Sequence, residues 1–156
     1  PCAYAFSEFQ MLWKEQLLLK SDDILLRKTQ PEDFVFEVRL DVLAFNMTET
    51  DAQLHNNRVK NIPGDYHFII EVEEIAIGKI RVSRMNGEAH IYGFSVLPEF
   101  QGQGYGRKAL RNVVKKEHDA GYSVHLEVET KNAHALRLYE SIGFSVVHGQ
   151  DYYLWL

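Results

Sequence analysis

The residues with the clearest chemical use lie in the run Val96-Leu97-Pro98-Glu99-Phe100-Gln101-Gly102-Gln103-Gly104-Tyr105-Gly106-Arg107-Lys108. The apolar residues up to Val96 predict a strand, three closely spaced glycines predict a turn, and Leu110, Val113 and Val114 mark a helix behind it. A helix N-terminus leaves about four backbone N–H groups without intrahelical partners and carries roughly half a positive charge. Glycines remove the Cβ atoms that would keep a phosphate away from those groups. Arg107 and Lys108 add fixed charge. The chemistry is anion binding, with phosphate as the natural anion. A plain tight loop is the structural alternative, and the strand–turn–helix context weighs against it.

Two familiar phosphate loops do not fit. A GxxxxGK[ST] run is missing. A dinucleotide fingerprint needs a third glycine where Arg107 stands, and Pro98 to Gln101 separate the strand from the glycines. Glu127, 21 residues after Gly106, is the one feature that favours the dinucleotide reading.

The pattern Gln101-x-x-Gly104-x-Gly106 resembles the (Arg/Gln)-x-x-Gly-x-(Gly/Ala) loop of the GNAT superfamily of N-acetyltransferases. A second segment, Leu126 to Phe144, resembles the same family. There Asn132 starts a helix, and Ala135, Leu138, Tyr139, Gly143 and Phe144 follow the pattern A-x-x-L-Y-x-x-x-G-F. The resemblance runs from about Ile24 to Leu156 and is strongest after Ile91.

This resemblance implies acetyl-CoA as co-substrate and no metal. Its pyrophosphate would sit on Gln101, Gly102, Gln103, Gly104, Tyr105, Gly106 and Arg107. Backbone N–H groups of a splayed strand around Phe94, Ser95 and Val96 would polarise the thioester carbonyl. Asn132 would contact the pantetheine arm, Tyr139 would be the general acid, and Glu127 the base. The implied reaction is direct transfer of an acetyl group to a primary amine, either a small amine or a peptide or protein N-terminus or lysine. Cys2 lies outside the resembling region and is not expected to act as a nucleophile. The alternative is a non-catalytic acyl-CoA-binding or sensor module on the same fold; the presence of both Asn132 and Tyr139 favours the enzyme.

Each of these residues also has a plainer use. Asn132 is a good N-cap, worth about 1 kcal/mol. Tyr139 lies on the apolar stripe of its helix, as a core tyrosine would. Glu127 points the same way in the pleat as Glu129, as a solvated strand residue would. His90, Tyr92, His125 and His134 are scattered and read individually as structural, and no His pair has the spacing of an HExxH metal site.

The elements that must position these groups follow from periodicity. A short strand is expected over Ile24 to Lys28, a helix from Thr29-Gln30-Pro31 to about Asn46, and a weaker helix within Thr48 to Asn61. Strands are expected over Tyr66–Val72, Ile75–Val82 and Ala89–Val96, the last two joined at Asn86-Gly87. A strand over Val124–Val128, a helix over 133–142 and a final hairpin of Phe144–Val147 with Tyr152–Trp155 complete the reading. The N-terminal run is ambiguous: Phe9, Met11 and Trp13 alternate like a strand, whereas Phe6, Phe9, Trp13 and Leu17 are spaced like a helix face. The expected fold is α/β (α+β): a mixed, mostly antiparallel central sheet of about six to seven strands flanked by about four helices. Residues 1–22 are expected to be an extension, either the remnant of a preceding domain or a dimer-forming arm, and 23–156 the acetyltransferase domain.

Composition bounds the partners. The chain of 156 residues is 46% hydrophobic and 25% charged, as ordinary globular domains are. Its net charge of −5 conceals an asymmetry, since residues 101–116 hold five of the 17 basic residues and none of the 22 acidic ones. That is the footprint of one anionic ligand at one place, not of a nucleic-acid binder. The acidic remainder fits a cationic acceptor. A single cysteine suits a reducing, cytoplasmic setting, and no apolar run is long enough to span a membrane.

Overall fold

The computed structural model describes residues 1–14, 16 and 18–156. Seven strands form one sheet: β1 (Cys2–Trp13), β2 (Leu25–Lys28), β3 (Asp65–Val72), β4 (Ile75–Met85), β5 (Glu88–Val96), β6 (Ser123–Glu129) and β7 (Phe144–Trp155). Their spatial order is β2-β3-β4-β5-β6-β1-β7. Every pairing is antiparallel except β5 with β6. The helices are α1 (Phe34–Phe45), α2 (Glu49–Val59), α3 (Tyr105–Asp119) and α4 (Ala133–Ser141).

Alternation along the strands divides the sheet into two faces. Ile80 and Val82 of β4, Ile91 of β5 and Leu126 of β6 pack into one cluster with Ala109, Leu110, Val113 and Val114 of α3. Leu136, Leu138 and Tyr139 of α4 lie against the same cluster. Arg84 of β4 reaches Glu117 of α3 on this side in a two-pronged ion pair of 2.7 and 3.1 Å.

On the opposite face α1 and α2 cover β4 through a buried polar knot. Lys79 of β4 lies 2.7 Å from Asp41 of α1. Asn56 of α2 donates its amide to Asp41 at 2.6 Å and to the Ala52 carbonyl at 2.8 Å, and accepts from Lys79 at 3.4 Å. Beyond β5 the sheet on this face carries polar side chains.

The N-terminal ambiguity resolves to a strand. β1 fills the slot between β6 and β7, and both of its edges are hydrogen-bonded within the chain. Met11 and Trp13 enter the core, while Glu8 and Gln10 face the polar side. Period two prevails because the slot satisfies backbone groups that a lone helical turn would leave to solvent. Leu17 lies outside the described residues.

The expected final hairpin is not formed; Phe144–Trp155 is one continuous strand. Gly149, the glycine available for a turn, pairs with Phe9 instead of adopting a left-handed conformation. With β1 alongside, a single long strand pairs from Cys2↔Trp155 to Trp13↔Phe144. Stacked Phe6 and Tyr152 rings, 4.5 Å apart, add to that pairing.

The knot predicts an energetic asymmetry. Asp41→Ala leaves a buried ammonium unpaired and is expected to cost about 3–5 kcal/mol. The double change Asp41→Leu with Lys79→Met is expected to cost far less. Urea midpoints at unchanged slope measure both; a loss under about 1 kcal/mol for Asp41→Ala would mark the pair as a solvated one.

Candidate active site

The parallel ladder between β5 and β6 is short. It runs from Glu88↔Ser123 to Ile91↔Leu126 and then stops. Beyond it β5 stays with β4, through Lys79↔Ser95 and Gly78↔Val96, after a bulge opposite Ile80. Gly93 sits in the bulge at φ 59°, a left-handed conformation that glycine adopts without steric cost. Gly78 is required farther along β4, opposite Val96, since a Cβ there would meet the Ser95 carbonyl oxygen at 2.3 Å. The sheet therefore opens between Phe94–Val96 and the end of β6. Ser95 pairs with Lys79 and so shares its face, where the Ser95 hydroxyl is buried with no hydrogen-bond partner among the described residues.

The glycine turn lies just beyond this opening. Gln101 donates its side-chain amide to the Val96 carbonyl at 2.9 Å and pins the loop to the strand. Gln103 donates to the Glu99 carbonyl at 3.1 Å. Gly104 is the N-cap of α3 at φ 86°, and no side chain caps the helix. A Cβ at Gly102 or Gly104 would meet nothing within 4 Å, so the loop is open on its outer side. Gly106 lies against the Phe94 ring, which a Cβ would touch at 3.4 Å. The first turn of α3 has no acidic residue. Among the described residues Arg107 makes no ion pair, whereas Lys108 is held by Asp23 at 2.6 Å and Lys115 by Asp119 at 2.8 Å. The uncapped N-terminus of α3 and the open glycines fit a diphosphate.

α4 presents the second motif. Asn132 caps it, its Oδ1 accepting from the Ala135 N–H at 3.1 Å, which leaves its amide hydrogens for a ligand. Tyr139 is half-buried and meets the Phe144 ring edge-on at 6.1 Å. Burial pushes its phenol up to about 12, so it is fully protonated at neutral pH.

Glu127 is on the other face of the sheet, on the exposed polar side of β6. Desolvation holds its carboxyl above the usual range, and the Glu8 carboxyl beside it pushes in the same direction. Glu8 also accepts a hydrogen bond from Tyr152, which pushes that phenol up to about 12. Tyr92 is raised by burial and by Glu127, and the Arg81 guanidinium lies 4.7 Å over its ring. Glu8, Tyr92 and Tyr152 thus surround Glu127. Sequence reasoning missed Glu8 because its neighbour is 119 positions away and the strand pairing alone joins them.

The histidines are less scattered than their sequence positions suggest. His90 and His125 are register partners and stack with centroids 4.8 Å apart, both beside Glu88. His134 lies exposed on α4, apart from them.

Comparisons with known proteins agree with this geometry. The sequence model of the acetyltransferase (GNAT) family matches residues 30–144. The chain belongs to that family. A mycothiol acetyltransferase of Nocardiopsis dassonvillei is 32% identical over 139 residues, 85% of this chain and 34% of its own length. A ribosomal protein bS18 alanine N-acetyltransferase of Escherichia coli is 39% identical over 59 residues, 37% of this chain and 40% of its own. The chain thus spans well under half the length of these curated relatives. The fold matches that of spermidine N-acetyltransferase from Vibrio cholerae, solved with CoA and spermine, at a TM-score of 0.66 and 18% identity over 86% of this chain and 96% of that one. A GNAT-family protein from Colwellia psychrerythraea gives 0.76 at 14% identity over 96% of this chain and 55% of that one.

The carboxylate pair predicts a titration. Glu8→Gln removes a like charge, so Glu127 is expected to titrate lower than in the wild type, read from its carboxyl carbon resonance against pH. The raised folded-state value means that Glu127 stabilises the fold below its unfolded-state value and loses that contribution as pH rises through the folded one. An unchanged midpoint in Glu8→Gln would show that Glu8 does not reach Glu127.

Proposed function

We propose that the chain transfers an acetyl group from acetyl-CoA directly to a primary amine. The observation that carries this reading is the uncapped N-terminus of α3 lying just past the strand that has left its parallel partner. One opening receives the acyl group and the adjoining loop receives the diphosphate.

Acetyl-CoA supplies a thioester whose acyl carbon accepts the amine and whose sulfur leaves as thiolate. The chain's residues do the rest. Backbone N–H groups at Phe94, Ser95 and Val96 hold the carbonyl oxygen as negative charge builds on it. Gln101 to Arg107 and the amide of Asn132 fix the nucleotide and the pantetheine arm. A lysine-like amine, with a pKa near about 10.4, is mostly protonated at pH 7. Glu127, held above the ordinary carboxylate range by desolvation and by the neighbouring Glu8, takes that proton directly or through water. As the C–N bond forms and the C–S bond breaks, Tyr139 gives a hydrogen bond to the sulfur. A phenol at about 12 is a weaker acid than an ordinary thiol at roughly 8.5, so its proton moves only while charge is concentrated on the sulfur.

Glu8 and Glu127 stand on the polar face, which suits a cationic acceptor, a small amine or the amino group of a peptide. The single cysteine is an exposed free thiol, consistent with a reducing, cytoplasmic setting. None of the helices described is long and apolar enough to cross a membrane.

Thermal melting with acetyl-CoA, followed by an amine panel read by thiol release, tests the reading. At a concentration a hundred times Kd, acetyl-CoA is expected to stabilise the fold by about 2.7 kcal/mol. Turnover on at least one amine is then expected; stabilisation without turnover on any would mark a non-catalytic acyl-CoA-binding module. Tyr139→Phe is expected to keep acetyl-CoA affinity and lower kcat by roughly 10²–10⁴-fold, and an unchanged kcat would remove Tyr139 from the acid role.

A further inference from the structure

Glu88, His90 and His125 form a cluster that acetyl transfer does not use. Glu88 and His90 are two apart on β5 and share the polar face; His125 is the register partner of His90 on β6. One ligand atom from each residue lies within 4.8 Å of the other two. Glu88 Oε2 is 2.8 Å from His90 Nε2, and Glu88 Oε1 is 3.8 Å from His125 Nε2. The rings are near-parallel, at 14°. The Ser123 hydroxyl is 2.9 Å from His125 Nε2.

A hydrogen-bonded trio would account for Glu88 and His90. His125 Nε2 shares a hydrogen bond with the Ser123 hydroxyl, and on an imidazole stacked over the first it is turned to the same carboxylate as well. Two imidazoles and a carboxylate suit a borderline divalent ion, and Zn²⁺ takes such sets with bonds of about 2.0–2.2 Å. Tetrahedral coordination at those lengths places ligand atoms roughly 3.4 Å apart. The widest gap must therefore close by about 1.4 Å, which partly exposed side chains can supply by rotation. The solvent-facing side leaves a position for water or the Ser123 hydroxyl.

We propose that Glu88, His90 and His125 bind one divalent transition-metal ion, Zn²⁺ by the chemistry of the donors, and so clamp β5 to β6 at the closed end of their parallel ladder. This site is separate from the acetyl-transfer reading and stands without it. Beyond His90 the ladder continues for a single pair before the strands part, so the clamp lies at the hinge of the opening.

The test is competition for Zn²⁺ against a chromophoric chelator, with the bound metal counted by native mass spectrometry. The wild type is expected to hold one ion. His125→Ala and Glu88→Gln are each expected to weaken binding by at least the roughly 10–100-fold that loss of a second-shell partner costs, while His134→Ala leaves it unchanged. Circular dichroism melts confirm that each variant is folded, and the isosteric Glu88→Gln keeps the test valid should His125→Ala unfold. Bound Co²⁺ is expected to give visible ligand-field bands that disappear in the same variants. Wild-type binding no tighter than that of a His90→Ala, His125→Ala double variant, or equal loss in His134→Ala, would overturn the proposal.

Discussion

The structure turns on the point where β5 leaves β6. Two parallel strands that begin in register stop pairing after Ile91 and Leu126, while β5 continues with β4. The cause is local. The bulge at Gly93 bends β5 by one unpaired residue, and the bare Cα of Gly78 lets β4 approach it where any side chain would collide. Backbone N–H groups that would have met β6 become free to meet a ligand. An open ladder inside a sheet is costly unless its backbone polar groups find partners.

The elements around the opening hold its two sides. On one side the knot of Lys79, Asp41 and Asn56 ties β4 to α1 and α2, and Arg84 ties it to Glu117 of α3. On the other side β6 would have an unpaired edge but for β1, which hydrogen-bonds it along Glu8 to Leu12. Trp13 continues the brace, donating its indole N–H to the Ile142 carbonyl at 2.9 Å where α4 ends. A segment outside the residues that the family's sequence model matches thus sets the position of the strand that carries Glu127.

The placement of the loop, α3, Asn132 and Tyr139 was legible in the sequence because it depends on backbone geometry and helical spacing, which local sequence encodes. Glycines at alternate positions allow one kind of turn, and an Asn three residues before Ala135 is an N-cap wherever that helix lies. What sequence could not show were neighbours made by strand pairing. Glu8 meets Glu127, and His90 meets His125, only because registers join segments far apart in the chain. The final strand failed for a related reason. The sequence Val147-His148-Gly149-Gln150-Asp151 allows a turn, and the long partner strand β1, not the local residues, decides against it. The polar knot on β4 was hidden because a single lysine in a strand reads as solvated.

The two groups given proton-transfer roles differ in environment as their roles require. Tyr139 belongs to the packed face, among α4 and the core, where burial keeps its proton in place. Glu127 belongs to the polar face, where desolvation and the nearby Glu8 hold its carboxyl above the usual range and make it a stronger base than a free carboxylate. The sheet separates them. In the transfer we propose, an acyl group held at the opening between β5 and β6 meets its amine from the polar face and gives up its sulfur toward α4, so that one backbone distortion supplies donors to the carbonyl and sets the direction of attack against that of departure.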